Sequence, residues 1–278
     1  MAPVHAPGMR VDVCSGYATN GTNVQLYTNN SLSPQAFQFI AIGDNKIKIT
    51  PKSSIDKRSN AVIEVTGVSP SNYANIALWN YYHDNVINNK LWYMRPANKT
   101  LAVTLHKQDT TNTCGPASVR MILTKYGITR TEAQIIDKLK IVCKPATDYK
   151  VVDNLTRTLN QILKDEGKST GDMYKWINIS SYTEAQFDLL FLNNIWDDTP
   201  IQLLMKISKV TPFQYTSDGH YVVLKGIKYN STAKKFYGVV NDPHYNYNLT
   251  LDVPMSTLLQ YSKAHSAAGY LIARNKNY

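Results

Sequence analysis

The sequence changes character near residue 105, and this change limits the possible folds more than any other feature. Before it, short alternating stretches of polar and apolar residues are separated by turn formers such as Asn20-Gly21. That pattern is typical of an all-β sandwich or barrel. After it, segments with helical spacing come first and short apolar β-type runs follow, which predicts an α+β domain with an antiparallel sheet. We therefore expect two domains, residues 1–104 and residues 105–278.

Composition excludes several functional classes. The chain is 43% hydrophobic and 18% charged, as expected of a globular protein. No apolar run reaches the roughly 18–20 residues that cross a bilayer, so we expect no membrane span. The net charge of +10 is spread along the chain, whereas nucleic-acid proteins usually concentrate it on one face, so we expect no nucleic acid. Zinc-type Cys/His spacings and Walker-type loops are absent from the sequence, so we expect no metal and no cofactor.

The first domain contains an internal repeat. Three short elements recur about fifty residues later: 11–13, 23–27 and 35–39 return as 63–65, 75–79 and 90–94. A repeat of that period predicts a symmetric architecture. These residues resemble the ricin-type β-trefoil lectins, whose repeats carry an Asp-Val-like strand, a Gln-Leu-Trp-like strand and a Gln-x-Trp-like close. A trefoil needs three repeats and two are visible, so the third is missing, divergent, or supplied by residues 1–10 with 99–107.

The lectin resemblance implies sites for a glycan. In those lectins an acidic residue, a stacking aromatic ring and a polar amide hold the sugar. The matching positions are Asp12, Gln25 and Tyr27 in the first repeat, and Glu64, Trp79 and Asn89 in the second. The alternative, in which Tyr27 and Trp79 are core residues, stays open, whereas Trp92 and Phe37 are expected in the core.

A single cysteine segment in the second domain has the features of a nucleophile. Cys114 immediately precedes a predicted helix, and the partial positive charge of a helix N-terminus favours thiolate over thiol. Gly115 would leave room for a substrate carbonyl. Gln108 lies six residues earlier, where a loop could return its side-chain NH2 beside the sulfur. Together with the Cys114 backbone N–H, it would form an oxyanion hole.

A thiolate nucleophile also needs a base, and the base needs an orienting group. His220 stands at the start of an apolar β-type run, and Asp242 follows the next such run. If these runs are neighbouring antiparallel strands, Asp242 lies beside the His220 ring, with Asn241 as the alternative orienting residue. His244 and His265 are expected on the surface. Cys14 and Cys143 could form a disulfide, but two unpaired thiols are favoured.

The order Gln, Cys-Gly, His, Asp-Pro resembles the papain-like cysteine peptidases of the bacteriocin-processing type. The resemblance implies a papain-like fold over about residues 105–275 and a peptide or protein substrate. It also implies Gln108 as oxyanion donor, Cys114 as nucleophile, His220 as general acid and base, and Asp242 as orienting residue. Bacteriocin exporters add a membrane span and an ATPase, so we expect this chain to be a separate, secreted peptidase that its first domain brings to glycans.

Two other functions remain open at this stage. The chain could be a lectin whose second domain is inactive. It could also be an amidase, transglutaminase or acyltransferase, because the same three residues form an acyl-enzyme whichever acceptor resolves it.

Overall fold

The computed structural model describes residues 1, 6, 8–43, 46–69, 74–82, 88–93, 95–145, 147–209, 212–233, 235–265 and 270–274. The chain divides into two compact units, Met1–Pro96 and Ala97–Tyr278. The division lies earlier than the predicted boundary after residue 104. The reason is a short strand, Lys99–Thr100, which pairs with a long strand of the second unit. Because residues 99–100 belong to the sheet of the second unit, they do not contribute to a third repeat of the first domain.

The first unit consists mainly of short antiparallel strands. They are β1 (Met9–Val13), β2 (Val24–Thr28), β3 (Phe37–Gly43), β4 (Lys46–Pro51), β5 (Ala61–Val65), β6 (Ile76–Asn80) and β7 (Trp92–Tyr93), with the short helix α1 (Lys52–Asp56) after β4. Strand β1 pairs with β2, β5 pairs with β6, and β3, β4 and β7 form a third sheet. Phe37 and Trp92 pack against the small core of this unit, as predicted.

The repeat seen in the sequence is present in the strand pairing. Asp12 on β1 lies opposite Gln25 on β2, and Glu64 on β5 lies opposite Ala77 on β6. A short 3-10 turn follows the first strand of each hairpin. Ser15 and Gly67 stand at equivalent places in these turns, and both have the left-handed backbone conformation, with φ of 53° and 69°. The two hairpins therefore repeat in register as well as in composition.

The second unit is an antiparallel sheet with helices packed against it. Its elements are β8 (Lys99–Thr100), α2 (Cys114–Lys125), α3 (Glu132–Val142), α4 (Val152–Asp165), β9 (Tyr174–Asn178), α5 (Glu184–Trp196), β10 (Ile201–Ile207), β11 (Ser217–Asn230), β12 (Lys235–Asp242), β13 (Leu249–Pro254), α6 (Met255–Ala264) and β14 (Tyr270–Arg274). The sheet order is β13-β12-β11-β10-β14-β9, with β8 beside β11. This confirms the predicted α+β class.

Helix α2 is the central helix of the second unit. Val119, Met121, Ile122 and Leu123 are fully buried in the main apolar core. Burying side chains of this size stabilises the fold by roughly 1.5–3 kcal/mol each, so the position of the helix is firmly determined. The first residue of α2 is Cys114, and packing along the helix therefore fixes the location of its sulfur.

The sequence pattern located most elements of this unit but missed some. Strands β9 and β13 and helix α6 were not predicted, because each is short and has no extended run with a single period. The spacing of Thr129 and Glu132 in the sequence predicts a capping box at the start of α3, and this prediction is wrong. The cap of α3 is Thr131, which accepts a hydrogen bond from the Gln134 N–H, because the helix begins at Glu132.

The described helices of the second unit are too short or too polar to cross a bilayer. None of the helices in the part of the chain that the structure describes is long and apolar enough to span a membrane.

Candidate active site

Cys114 lies where a helix begins, as the sequence predicts. Thr113 is the residue before the helix, and its hydroxyl oxygen accepts a hydrogen bond from the Thr110 N–H at 3.1 Å. This turn sets the direction in which the chain enters α2. The first backbone N–H groups of a helix have no intrahelical acceptor, so the Cys114 N–H is positioned to bind an oxygen from outside the helix.

Gly115 and Gln202 hold the start of α2 in place. Gln202 is fully buried on β10, and its Nε2 donates to the Gly115 carbonyl oxygen at 3.1 Å. A Cβ on Gly115 would lie 2.9 Å from the Tyr149 carbonyl oxygen and 3.0 Å from Leu155 Cδ1. Packing within the protein therefore requires glycine at this position. The sequence suggests a different reason for Gly115, namely that it leaves room for a substrate carbonyl.

His220 lies on β11 next to the end of β12. These strands are antiparallel neighbours, and β12 ends at Asp242. The His220 side chain is only 4% exposed, and its Nε2 lies 2.8 Å from Asp242 Oδ1. Because Nε2 is bound to the carboxylate, Nδ1 is the ring nitrogen left to face Cys114. The predicted strand pairing thus brings the three side chains together.

Asp242, and not Asn241, is the residue that contacts the imidazole. Side chains of successive strand residues point to opposite faces of the sheet. Asn241 Nδ2 donates to the Val103 carbonyl oxygen at 3.2 Å, and its Oδ1 accepts from Thr250 Oγ1 at 2.7 Å. Both hydrogen-bonding ends of the Asn241 amide are therefore used elsewhere.

The cysteine and the histidine shift each other's pKa in opposite directions. Burial raises the pKa of Cys114, but its hydrogen bond with His220, the His220 charge, and backbone N–H groups of Tyr221 and Gly115 bring that pKa below its ordinary value. Burial lowers the pKa of His220, but hydrogen bonds with Asp242 and Cys114, and the charges of both, raise it to about 9. Both shifts favour a thiolate–imidazolium pair over a neutral thiol and imidazole.

Gln108 lies beside this pair. Its backbone N–H donates to the Pro243 carbonyl oxygen at 2.8 Å, which ties it to the segment that follows Asp242. Its side chain is 2% exposed, and Nε2 donates to the Thr110 carbonyl oxygen at 2.7 Å. A side-chain amide nitrogen carries two hydrogens, so one remains for a substrate oxygen.

One cavity of about 420 Å³ contains these groups. Gln108, Cys114 and His220 line it, together with His244, Tyr245 and His265. His244 and His265, which the sequence places on the surface, are partly exposed and lie on the wall of this cavity. Burial, followed by the charge of His220, lowers the pKa of His244, which favours the neutral form of that ring.

Two further polar residues support the site and were not predicted. Glu132 on α3 is 1% exposed, and its Oε1 accepts the Asp109 N–H at 3.0 Å, which holds the loop between Gln108 and Cys114. Tyr215 donates from its hydroxyl to Asp242 Oδ2 at 2.7 Å. The sequence offers a weak signal for Glu132, whose spacing from Thr129 suggests a helix cap, and none for Tyr215, which lies outside the periodic segments.

Five of the six candidate glycan residues form two clusters in the first unit. Asp12, Gln25 and Tyr27 line one cavity of about 370 Å³, where Gln25 Nε2 lies 3.3 Å from Asp12 Oδ1. In the second cluster, Asn89 Nδ2 donates to Glu64 Oε2 at 3.0 Å.

The two aromatic residues among the glycan candidates lie at the surface. Tyr27 is 51% exposed and Trp79 is 40% exposed, so the alternative that they are core residues is wrong. In the second cluster, Lys90 Nζ also lies 3.9 Å from the Glu64 carboxylate, so that carboxylate already has partners from its own chain.

The three cysteines, all within the described residues, are free thiols. Cys143 is buried, with its Sγ 3.5 Å from the Asn154 carbonyl oxygen, which agrees with a structural role. Among the described residues no group of three or more His, Cys, Asp or Glu side chains could hold a metal ion.

Comparison with solved structures gave several distant similarities. The peptidase domain of Streptococcus ComA, a bifunctional ABC transporter, matches at 16% identity over 63% of this chain and 99% of that one, with a TM-score of 0.38. Digestive procathepsin L 3 of Tenebrio molitor larval midgut matches at 11% identity over 64% of this chain and 69% of that one, with a TM-score of 0.43. The designed threefold-symmetric protein ThreeFoil matches at 22% identity over 34% of this chain, with a TM-score of 0.28. The matched part is 65% of the ThreeFoil chain, which is less than two thirds.

Sequence comparison gives the family. A search of curated proteins found no match. The model of the Peptidase_C39 like family matches residues 100–270, which is more than half of the chain and includes the thiol, imidazole and carboxylate described above. The chain therefore belongs to the Peptidase_C39 like family and is a papain-like cysteine peptidase.

Proposed function

We propose that the protein cleaves peptide bonds with Cys114 as nucleophile, His220 as general acid and base, Asp242 as orienting residue and Gln108 as oxyanion donor. One observation carries the proposal. A cysteine at a helix N-terminus shares a cavity with a buried imidazole whose far nitrogen is 2.8 Å from a carboxylate. These are the nucleophile, base and orienting group that covalent catalysis requires.

The geometry supports an acyl-transfer mechanism. The Cys114 thiolate attacks the peptide carbonyl carbon, and the resulting oxyanion accepts hydrogen bonds from the Gln108 side chain and the Cys114 N–H. As the carbon–nitrogen bond breaks, the His220 imidazolium gives its proton to the leaving amine. Neutral His220 then takes a proton from water, which attacks the thioester and releases a carboxylic acid and the thiolate.

The oxyanion role of Gln108 can be measured separately from the nucleophile. We expect Gln108→Ala to lower kcat on a cleaved peptide by about 10²–10³-fold, because one of two donors is lost while the thiolate–imidazolium pair stays. Gln161→Ala is the matched control, since Gln161 bonds Asp165 on the exposed side of α4. Equal activity of the two variants would show that Gln108 is not an oxyanion donor.

The molecule that accepts the acyl group from Cys114, water or an amine, distinguishes a hydrolase from a transferase. A peptide library incubated with the protein, with and without a primary amine, is read by mass spectrometry. Free carboxyl termini in both samples support hydrolysis. Amide products that replace them in the presence of amine would instead support the transferase or acyltransferase alternative.

We also propose that the first unit is a trefoil-like module that binds a glycan in the cavity of Asp12, Gln25 and Tyr27. Supporting this are the repeated hairpins, the exposed Tyr27 ring and the buried Asp12 carboxylate beside the Gln25 amide. Binding to glycans would raise the local concentration of the peptidase near glycoprotein substrates, such as those displayed outside cells.

The glycan proposal is tested with the full chain on a glycan array. We expect wild type to bind a sugar and Tyr27→Ala to lose at least about 1 kcal/mol of binding, since a stacking ring contributes that order of energy. Tyr27 is exposed, so its removal should not affect folding. Asp56→Ala, at a surface position paired with Lys52, is the control. Failure of wild type to bind any sugar would overturn the lectin assignment and leave the peptidase assignment intact.

A further inference from the structure

Tyr215 contacts the catalytic carboxylate on the side away from the histidine. It lies in the segment between β10 and β11 and is 8% exposed. Its hydroxyl donates to Asp242 Oδ2 at 2.7 Å, whereas His220 binds Oδ1. The His244 backbone N–H also donates to Oδ1, at 2.9 Å. Asp242 thus has a partner on each oxygen, and Tyr215 is the partner of Oδ2.

The Tyr215 ring also covers the hydrogen bond between His220 and Asp242. It meets the His220 ring edge-on, with centroids 5.5 Å apart and planes at 81°. The rings of His244, at 3.9 Å, and Tyr247, at 5.5 Å, stack on it, and the Phe213 ring meets it edge-on at 6.2 Å. Excluding water from a charged hydrogen bond strengthens it, but makes a missing partner more costly.

The environment determines which proton each group carries. Burial raises the pKa of Asp242, and its hydrogen bonds with His220 and Tyr215 are among the effects that bring it below its ordinary value. Burial, and then the Asp242 charge, raise the pKa of Tyr215 far above its ordinary value, so Tyr215 remains a donor. The other titratable groups facing this pair are Cys114 on α2 and the rings of His244 and Tyr247 after β12.

We propose that Tyr215 is a positioning residue of this peptidase, which holds the Asp242 carboxylate in the charge state and orientation that His220 requires. Without the hydroxyl, Oδ2 is a buried acceptor with no hydrogen-bond donor among the described residues, and Asp242 takes up a proton at higher pH. Protonated Asp242 no longer supports the imidazolium, and the Cys114 thiolate then loses its counter-charge. The inference rests on the proposed function of Cys114 and His220.

The test measures the rate at which iodoacetamide alkylates Cys114 across pH in the full chain. The modified peptide is quantified by mass spectrometry, so reaction at Cys14 does not interfere. Wild type should react at an acid-range plateau that ends at a low-pH inflection. Tyr215→Phe keeps the ring, and its inflection should move upward by roughly half a pH unit or more. Tyr261→Phe, which loses a hydroxyl contact to Ser208 in the neighbouring aromatic cluster, should match wild type.

The outcomes distinguish failure of the Tyr215 proposal from failure of the proposed catalytic pair, Cys114 and His220. A wild-type plateau with an unchanged Tyr215→Phe inflection overturns the role of Tyr215 alone, and so does a slower rate at every pH with no shift. If wild type has no plateau, the thiolate–imidazolium pair does not exist and both proposals fail. The same measurement in Asp242→Asn supplies a second check. Adding Tyr215→Phe there should move the inflection no further, and an independent shift would contradict action through Asp242.

Discussion

Cys114→Ala is expected to lower peptide cleavage by a factor on the order of 10⁶, the size of loss seen when an enzyme's covalent nucleophile is removed. Alanine keeps the small side chain at the start of α2 but has no sulfur to form the thioester. The remaining oxyanion donors and His220 cannot replace that bond. The measurement is kcat on the best peptide from a library, for wild type and the variant under identical conditions.

Cys143→Ala is the matched control for that experiment. Cys143 is buried at the end of α3, away from the residues that line the cavity, and it should leave kcat unchanged. If Cys114→Ala retained more than about a thousandth of wild-type kcat, its sulfur could not be the nucleophile. Water activated by His220 would then be the alternative to examine.

His220→Ala is expected to abolish the reactivity of Cys114 in mildly acid solution. In wild type, the lowered pKa of Cys114 and the raised pKa of His220, about 9, both favour a thiolate–imidazolium pair. Without His220, the burial that raises the Cys114 pKa is no longer opposed by its main counter-effect, so the thiol should titrate at or above about 8.5. At about pH 6 the alkylation rate should therefore fall by about 10²–10³-fold.

Peptide cleavage in wild type should also decline as pH rises through about 9. In the proposed mechanism the His220 imidazolium donates the proton to the leaving amine, and above its pKa it no longer carries that proton. His106→Ala is the control, because His106 lies outside the residues that line the cavity. The alkylation experiment has its own contradicting outcome. If the wild-type alkylation rate rises only near the ordinary thiol pKa, and His220→Ala does not change it, Cys114 is an unactivated cysteine.

Local sequence determined the class of each unit and indicated the proposed reactive residues. The alternation before residue 105 and the helical spacing after it gave the β-rich first unit and the α+β second unit. The register of the two hairpins follows the repeat because alternating side chains fix which face of a strand is buried. Cys114 at a helix start and His220 on the strand before Asp242 could be identified because both positions depend on neighbours in the chain.

Tertiary structure decided which groups complete the site. Whether Asn241 or Asp242 contacts His220 depends on which face of the sheet each side chain points to. The hydrogen bonds of Asn241 to Val103 and Thr250 fix its side chain on the face away from His220. Gln108 reaches the cavity because its N–H bonds the Pro243 carbonyl oxygen, a contact between distant parts of the chain. Three other buried side chains also form hydrogen bonds to residues outside their own element: Glu132, Gln202 and Tyr215. Sequence spacing does not encode such contacts, because they form only when the core brings separate elements within hydrogen-bonding distance.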